Sequence, residues 1–359
     1  MIQRYKVKNF KSLKGSEIKN FKRINLLGGK NNTGKTTLME SIFLFHDRLN
    51  PECFIRLHAW RGVQTIKMES PELFGPLFYN YDTDKKIDIE IEYTNKSTQN
   101  LMINLIEDLN KQISLSNINL NNIDNTTKTL NNEHLEMKVK YTGNLNKKQE
   151  LITHSLEGDN NLSVNATDVN PRNIKKAVFL VAKHISNENE NAIRYGELVK
   201  RNEESEIIEF LKVIEPRLKS INAVQLHDNT SMIYGDIGLK KKVPLNYMGD
   251  GITRIFSILL AIISLPNGIV FIDEIENGIH YSVMSQVWEM IDKASKKYDC
   301  QIVATTHSYE CLASLVEGTS NSSDEINYIR LERKGDDIIS KEYDFDMLEV
   351  AIQQGWEVR

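Results

Sequence analysis

Gly28-Gly29-Lys30-Asn31-Asn32-Thr33-Gly34-Lys35-Thr36-Thr37 is the stretch on which the reading of this chain turns. It fits the phosphate-binding loop pattern G-x-x-x-x-G-K-[ST], with Gly29, Gly34, Lys35 and Thr36 at the fixed positions. The glycines let the backbone curl so that several N–H groups point inward at the phosphates. The helix that follows brings the positive end of its dipole to the same point. In such a loop Lys35 reaches the β- and γ-phosphates and the Thr36 hydroxyl ligates Mg²⁺. The flanks agree with the motif. Ile24-Asn25-Leu26-Leu27 is a short apolar run ending at the glycines, and residues 36–49 read as a helix with Leu38, Ile42, Phe45 and Leu49 at 3–4 spacing. A nucleoside triphosphate site is therefore expected here.

The chain has 359 residues, enough for one large or two ordinary domains, and its apolar fraction of 40% supports a core. A net charge of −4 makes no global electrostatic case for nucleic acid, although a local basic groove stays open. Cys53, Cys300 and Cys311 are scattered and lack metal-ligand spacing, which suits a reducing cytosol. The N-terminus carries no apolar signal region. The most apolar stretch, 255–265, is shorter than the about 20 residues that cross a bilayer. A cytoplasmic protein without membrane association is expected.

Working outward, residues 2–8 and 16–20 read as strands on either side of Asn9-Phe10-Lys11-Ser12. Residues 87–93 alternate strictly and form a half-buried strand. Residues 94–173 are dense in Asn, Lys, Thr and Ser, with short alternating runs at 135–139 and 148–156. They read as an inserted antiparallel β-arm with long polar loops. Residues 177–181 return to core-strand character. Residues 195–221 look helical, with Ile207, Leu211, Ile214, Leu218 and Ile221 at 3–4 spacing and Pro216 as a kink or break. Short strands follow near 223–227 and 230–235. The Lys240-Lys241-Lys242 run then reads as a solvated edge strand, or more sharply as a phosphate-backbone contact.

The second half carries a matching set of polar groups. Ile269-Val270-Phe271-Ile272 is a strand buried on both faces that ends in Asp273-Glu274, a Walker B arrangement. Asp273 is placed to hold Mg²⁺ and Glu274 to polarise the attacking water. Residues 301–305 form another core strand ending at Thr306-His307-Ser308, where parallel α/β sheets place their ligands. His307 is read as a sensor of the γ-phosphate. Just upstream of Walker B, Gly249-Asp250-Gly251 opens the apolar helix 252–265 and exposes a second helix N-terminus through glycines.

Together these residues resemble the ABC-type ATPase heads of the SMC, RecF and OLD (overcoming lysogenization defect) proteins, most like stand-alone OLD-like AAA-family ATPases of bacterial defence loci. Asn9-Phe10-Lys11-Ser12 is similar to the family's N-F-[KR]-[SC] segment, which implies that Phe10 and Lys11 lie near the nucleotide. Gly29-Lys30-Asn31-Asn32-Thr33-Gly34-Lys35-Thr36 resembles its G-x-N-x-x-G-K-[ST] loop, with Thr37 alongside. Met248-Gly249-Asp250-Gly251 resembles the signature motif, Glu276-Asn277-Gly278-Ile279-His280 the D-loop region, and His307 the switch histidine. The resemblance implies that Gly249, Asp250, Gly251 and Arg254 face the nucleotide of a second copy. It also implies an α/β fold: a P-loop NTPase with an ABC/SMC-like ATPase head, an antiparallel β-subdomain and a helical segment. The head would be divided as 1–93 and 174–359 around the 94–173 insertion.

The chain departs from the pattern at three places. Gly249 replaces the signature serine, Gln64 is only a candidate for the Q-loop glutamine, and no heptad region for a coiled-coil arm interrupts the chain. Leu315-Val316-Glu317-Gly318 mimics the opening of a TOPRIM nuclease domain, but about 40 residues follow it, fewer than the about 50 of a small domain. No nuclease is expected in this chain. The resemblance implies ATP and Mg²⁺ as cofactors and a homodimer or higher oligomer that hydrolyses ATP as a switch. Such heads are commonly accompanied by a separately encoded TOPRIM-like or other effector, here read as an anti-phage sensor with its effector. The alternative is a RecF/SMC-like, DNA-binding repair ATPase. A transporter subunit is disfavoured because the chain lacks an L-S-G-G-Q signature and has Ile275 where a proline usually follows the Walker B glutamate.

Overall fold

Two large sheets of opposite character and a small three-stranded one make up the strands of the described residues. The computed structural model describes residues 1–358 apart from 64, 66–68, 109–131, 143–148, 158–160, 171–173, 183–187 and 227–229. The candidate Gln64 lies outside the described residues.

β1 (Ile2–Phe10) buries Ile2, Tyr5, Val7 and Phe10, and a tight turn at Lys11 and Ser12 returns the chain as β2 (Leu13–Ile18). β3 (Ile24–Gly28) is buried along its whole length and delivers the phosphate loop to α1 (Lys35–Asp47). The short α2 (Cys53–Ala59) and α3 (Ser70–Phe74) lead to β4 (Ile87–Tyr93), whose Ile87, Ile89, Ile91 and Tyr93 alternate with half-exposed acidic residues. β5 (Thr98–Asp108), β6 (Asn132–Thr142), β7 (Gln149–Glu157) and β8 (Asn161–Thr167) follow. They are antiparallel, as their alternation predicts. They extend the sheet begun by β1, β2 and β4 rather than stand apart from it, in the order β2-β1-β4-β5-β6-β7-β8. Ile87 pairs with Ile103 and Ile89 with Leu101, so the polar segment feeds its apolar face into the same core.

The second sheet is built from dispersed strands. β9 (Ala177–Leu180) precedes α4 (Glu188–Lys200) and α5 (Glu204–Lys212). β10 (Ser220–Gln225), β11 (Ser231–Asp236) and β12 (Val243–Pro244) form a small separate sheet. α6 (Asp250–Ser264), β13 (Ile269–Ile272), α7 (Met284–Lys297), β14 (Gln301–Thr305) and α8 (Tyr309–Gly318) alternate thereafter. The β15 (Ile326–Lys334) and β16 (Asp337–Asp344) hairpin and α9 (Phe345–Gln353) complete the order. The sheet runs β16-β15-β3-β14-β13-β9, parallel except for the β15–β16 hairpin.

The helix expected over 195–221 is instead α4, α5 and part of β10. α4 stops where Asn202 adopts a left-handed φ of 56°, α5 ends before Pro216, and Ile221 pairs with Gly235 in a strand. Leu218 and Ile221 still reach the core that Ile207 and Leu211 enter, which is why the helical spacing continues past the helix. Lys240 and Lys241 sit in an exposed bend ahead of β12, not in an edge strand. Glu317 and Gly318 close α8. A side chain on Gly318 would meet the Ser285 carbonyl of α7, so this glycine serves a close helix–helix approach.

The six-stranded sheet has two packed faces. Val270, Ile272, Ile302 and Ala304 face the core shared with α6, α7 and α8. Ile269, Phe271 and Val303 face α1 and the seven-stranded sheet beyond it. α1 is thus enclosed, with every residue from Leu38 to His46 buried. Phe271 meets Phe43 of α1 edge-on at 6.3 Å, a contact whose truncation to alanine costs about 3–5 kcal/mol.

Candidate functional site

β3, β14 and β13 are neighbours and parallel, so their C-terminal ends bring three loops to one edge. These loops are the phosphate loop, Asp273-Glu274 and Thr306-His307. Gly29 has φ 121°, and a Cβ there would lie 2.3 Å from the Leu331 carbonyl oxygen, so only glycine fits. Gly34 caps α1 with φ 84° and no side-chain bond, leaving the first N–H groups of the helix to a ligand. The Lys35 ammonium is turned onto the loop's own carbonyls, donating to Gly29 O at 2.7 Å and Lys30 O at 2.9 Å. Burial pulls its pKa down to about 8, against the opposing pull of Asp273, Glu274 and Glu276.

The Thr36 hydroxyl donates to Asp273 Oδ1 at 3.0 Å. Thr305 donates to the same oxygen at 2.7 Å and accepts the Glu274 N–H at 2.7 Å. Thr36 and Asp273 therefore present a hydroxyl and a carboxylate at one point. Among the described residues no group of three or more His, Cys, Asp or Glu gathers that could hold a metal alone. A site with one carboxylate suits Mg²⁺, which completes its shell with water and substrate phosphates.

Glu274 is a non-glycine residue with φ 47°, a conformation that costs about 1–3 kcal/mol and clusters at functional sites. Thr305 holds its backbone, and the Asn277 amide donates to Glu274 Oε2 at 3.1 Å. His307 Nε2 lies 3.6 Å from Glu274 Oε1, while the His307 N–H donates to Glu276 Oε1 at 2.8 Å. A strained carboxylate beside a phosphate loop can accept a proton from water.

A cavity of about 980 Å³ opens over the loop, with Asn31, Asn32, Thr33 and Thr37 in its wall and both Glu274 and His307 facing it. Lys11 lines it too, whereas Phe10 does not. The Phe10 ring is fully buried in the core beside α1, so the expectation that it meets the nucleotide is corrected.

Lys11 belongs to a cluster that sequence reading missed. Glu40, fully buried on α1, accepts from Lys11 Nζ at 3.0 Å and from Arg61 at 2.7 and 2.9 Å. Arg61 also donates to the Thr37 hydroxyl at 3.1 Å. Burial lowers the Lys11 pKa despite Glu40. Burial also opposes the Arg61 charge, but its bonds to Glu40 outweigh this and raise its pKa. Arg333, in the hairpin that packs on the loop, reaches the same cavity. No local pattern marks these residues, because the contacts join positions 21 to 29 apart.

Gly249, Asp250 and Gly251 do not line this cavity. Gly249 and Asp250 are exposed, and Gly251 packs against the turn at Gly278, where a Cβ would lie 3.0 Å from its carbonyl oxygen. Arg254 corrects another expectation. It is buried, and its guanidinium donates to Val181 O at 2.8 Å and Asp273 O at 2.7 Å, so it braces its own chain instead of facing a second copy. Burial pulls its pKa down to about 10, against Asp273, Glu274 and Glu276.

The fold is that of a P-loop, ABC/SMC-like ATPase head. The chain belongs to the AAA ATPase domain family, whose model matches residues 1–312. It is 25% identical over 332 residues to an "ATP/GTP phosphatase" of Helicobacter pylori, covering 88% of this chain and 87% of that protein. A 99-residue stretch is 32% identical to an uncharacterized protein of Methanocaldococcus jannaschii, covering 28% of this chain and 87% of the relative. Among solved structures, an SMC head bound to the C-winged helix domain of ScpA superposes with a TM-score of 0.51 at 12% identity, covering 98% of this chain and 99% of that one. Among the described residues no helix is long and apolar enough to cross a membrane.

Proposed function

We propose that this chain is a Mg²⁺-dependent nucleoside triphosphatase whose two copies close on two nucleotides and open on hydrolysis. The observation that carries the reading is the split between two surfaces. The cavity of one chain holds the phosphate loop, Glu274 and His307, while Gly249 and Asp250 stand exposed elsewhere on a glycine-opened helix start. Two aromatic side chains flank that second surface, Tyr247 at 82% exposure and Tyr281 at 68%. Exposed aromatic groups beside a glycine-opened helix start suit an interface that forms only part of the time. A two-fold pairing completes both sites at once.

Within one site, Lys35 exchanges the Gly29 and Lys30 carbonyls for the β- and γ-phosphates of the substrate. Thr36 and Asp273 would hold Mg²⁺, which neutralises charge on those phosphates. Glu274 takes the proton of the attacking water, and His307 reports the presence of the γ-phosphate. The name of the Helicobacter pylori relative supports ATP or GTP as the substrate.

The resemblance to stand-alone OLD-like ATPases supports a wider role as the sensor of an anti-phage system in the cytoplasm, acting on a separately encoded effector. The exposed Lys240 and Lys241 favour one second reading, a DNA-binding head of the RecF/SMC kind. Duplex affinity that falls steeply with salt is its signature.

The Glu274→Gln variant tests the switch. It is expected to bind ATP, to hydrolyse it at least about a hundredfold more slowly, and to double in mass by light scattering when ATP is added. A mass that does not change with ATP overturns the closing dimer. Co-purification with the product of the neighbouring gene tests the effector; recovery of the chain alone removes that part.

A further inference from the structure

The nucleotide cleft has two unlike ends. At one, the Thr36 hydroxyl bonds Asp273, and Glu274 and His307 form the wall. At the other, the Thr37 hydroxyl accepts from Arg61 at 3.1 Å and from Ser12 at 3.3 Å. A triphosphate whose terminal group sits by Asp273 and Glu274 has a path out of the loop past Thr37, along the lining that Lys11, Arg61, Asn80 and Tyr81 share. Beyond Thr37 a short segment hangs from the β1–β2 turn. The Lys11 N–H donates to Leu77 O at 2.8 Å, and Phe10 and Phe78 form an isolated bridge. Three residues on, Asn80 and Tyr81 line the cavity.

These two residues are consecutive and both left-handed, with φ of 55° and 58°. Asparagine tolerates that region; tyrosine does so at a cost. Two such residues in a row present the Tyr81 ring, 70% exposed, at the cleft instead of packing it away. One edge of the ring rests against Gly75, 3.6 Å from where a Cβ would stand. Among the described residues neither the Tyr81 hydroxyl nor the Asn80 side-chain amide has a hydrogen-bond partner. The turn is held by the Tyr81 N–H to Phe78 O and the Asp82 N–H to Tyr79 O, both at 3.1 Å, and consecutive residues in this sparsely populated region cluster at ligand clamps.

We propose that Asn80 and Tyr81 form the base-binding wall of the nucleotide site. Tyr81 stacks on a purine ring and the Asn80 carboxamide reads its edge. This rests on the phosphate-loop reading above and names the substrate class: purine nucleoside triphosphates, adenine and guanine alike. A carboxamide carries both a donor and an acceptor. It can pair with N1 and the 6-amino group of adenine, or with N1–H and the 6-oxo group of guanine.

Calorimetric titration of the full chain with ATP, GTP and inorganic tripolyphosphate tests this. Tyr81→Ala is expected to weaken ATP and GTP about tenfold, because an aromatic–base stack is lost. Tripolyphosphate affinity should stay within about twofold, which also shows that the variant is folded, and Tyr81→Phe should bind ATP like the original chain. Asn80→Asp, an acceptor only at neutral pH, should favour GTP over ATP about tenfold. If Tyr81→Ala binds ATP unchanged, or loses ATP and tripolyphosphate equally, the wall is elsewhere. Lys35→Ala separates the two layers of the reading. It should lose tripolyphosphate as well as ATP, and if it keeps both, the phosphate site itself is overturned.

Discussion

The six-stranded, mainly parallel sheet and the seven-stranded antiparallel sheet use ionisable groups in opposite ways. At the ends of β3, β13 and β14 the charges are incomplete. Lys35 is parked on backbone carbonyls, and Glu274 and His307 sit 3.6 Å apart, each side chain more than a third exposed. In the antiparallel sheet the charges are sealed. Arg48, just past the end of α1, meets Glu150 of β7 at 3.0 Å with both side chains essentially fully buried. The Tyr141 hydroxyl donates to Glu150 at 2.6 Å, and His154 Nε2 lies 2.8 Å from the Arg48 carbonyl. Burial pulls His154 down to about 4, so it stays neutral and donates that bond. An ion pair sealed from solvent is out of a ligand's reach, even though Arg48 Nε has no partner among the described residues, and it fastens the phosphate-loop helix to the sheet. An unsatisfied set is what a substrate can complete.

The contrast can be broken experimentally. The largest effect belongs to the fastener. Glu150→Ala should destabilise the protein by about 3–5 kcal/mol in urea melts, because Arg48 is left buried without its partner, while the folded fraction keeps its affinity for ATP. An equal loss of affinity would merge the two roles. Next comes Lys35→Ala, expected to lower kcat/KM for ATP by about 10²–10³ while leaving the ligand-free melting temperature unchanged; a large drop in that temperature would make Lys35 structural. The smallest effect is a proton. With its pKa near 8, Lys35 carries a full charge at pH 6.5 and about half a charge at pH 8. Phosphates favour the charged form, so binding at pH 8 should take up about half a proton, and affinity should fall as pH rises further. Titrations in two buffers of different ionisation enthalpy measure this, and zero uptake at pH 8 would show that Lys35 does not titrate there.

The sequence showed the parallel sheet far better than its neighbour. A phosphate loop, an apolar strand ending in Asp273-Glu274 and another ending at His307 are short patterns, each complete within ten residues. Glu40 with Lys11 and Arg61 is not such a pattern. Its members lie on three elements, and Arg61 sits in an irregular turn that no periodicity describes. β5–β8 alternate clearly, but alternation does not say which strand β5 will join, so a continuous sheet looked like an arm. Residues 195–221 misled for a related reason. Leu218 and Ile221 keep helical spacing because they serve the same core, although Ile221 does so from a strand. Arg254 shows the limit most plainly, since its partners are backbone carbonyls, which leave no trace in residue type.

That arginine has a mechanical consequence. It springs from the first turns of α6, four residues after Asp250, and grips the carbonyl at the tip of β13. A contact of this kind couples the start of α6 to the tip of β13. Any tilt of the exposed start of α6 must either break its grip on the Asp273 carbonyl or drag that residue along. The exposed start of α6 and the residue that carries the Asp273 carboxylate are therefore joined through one buried side chain.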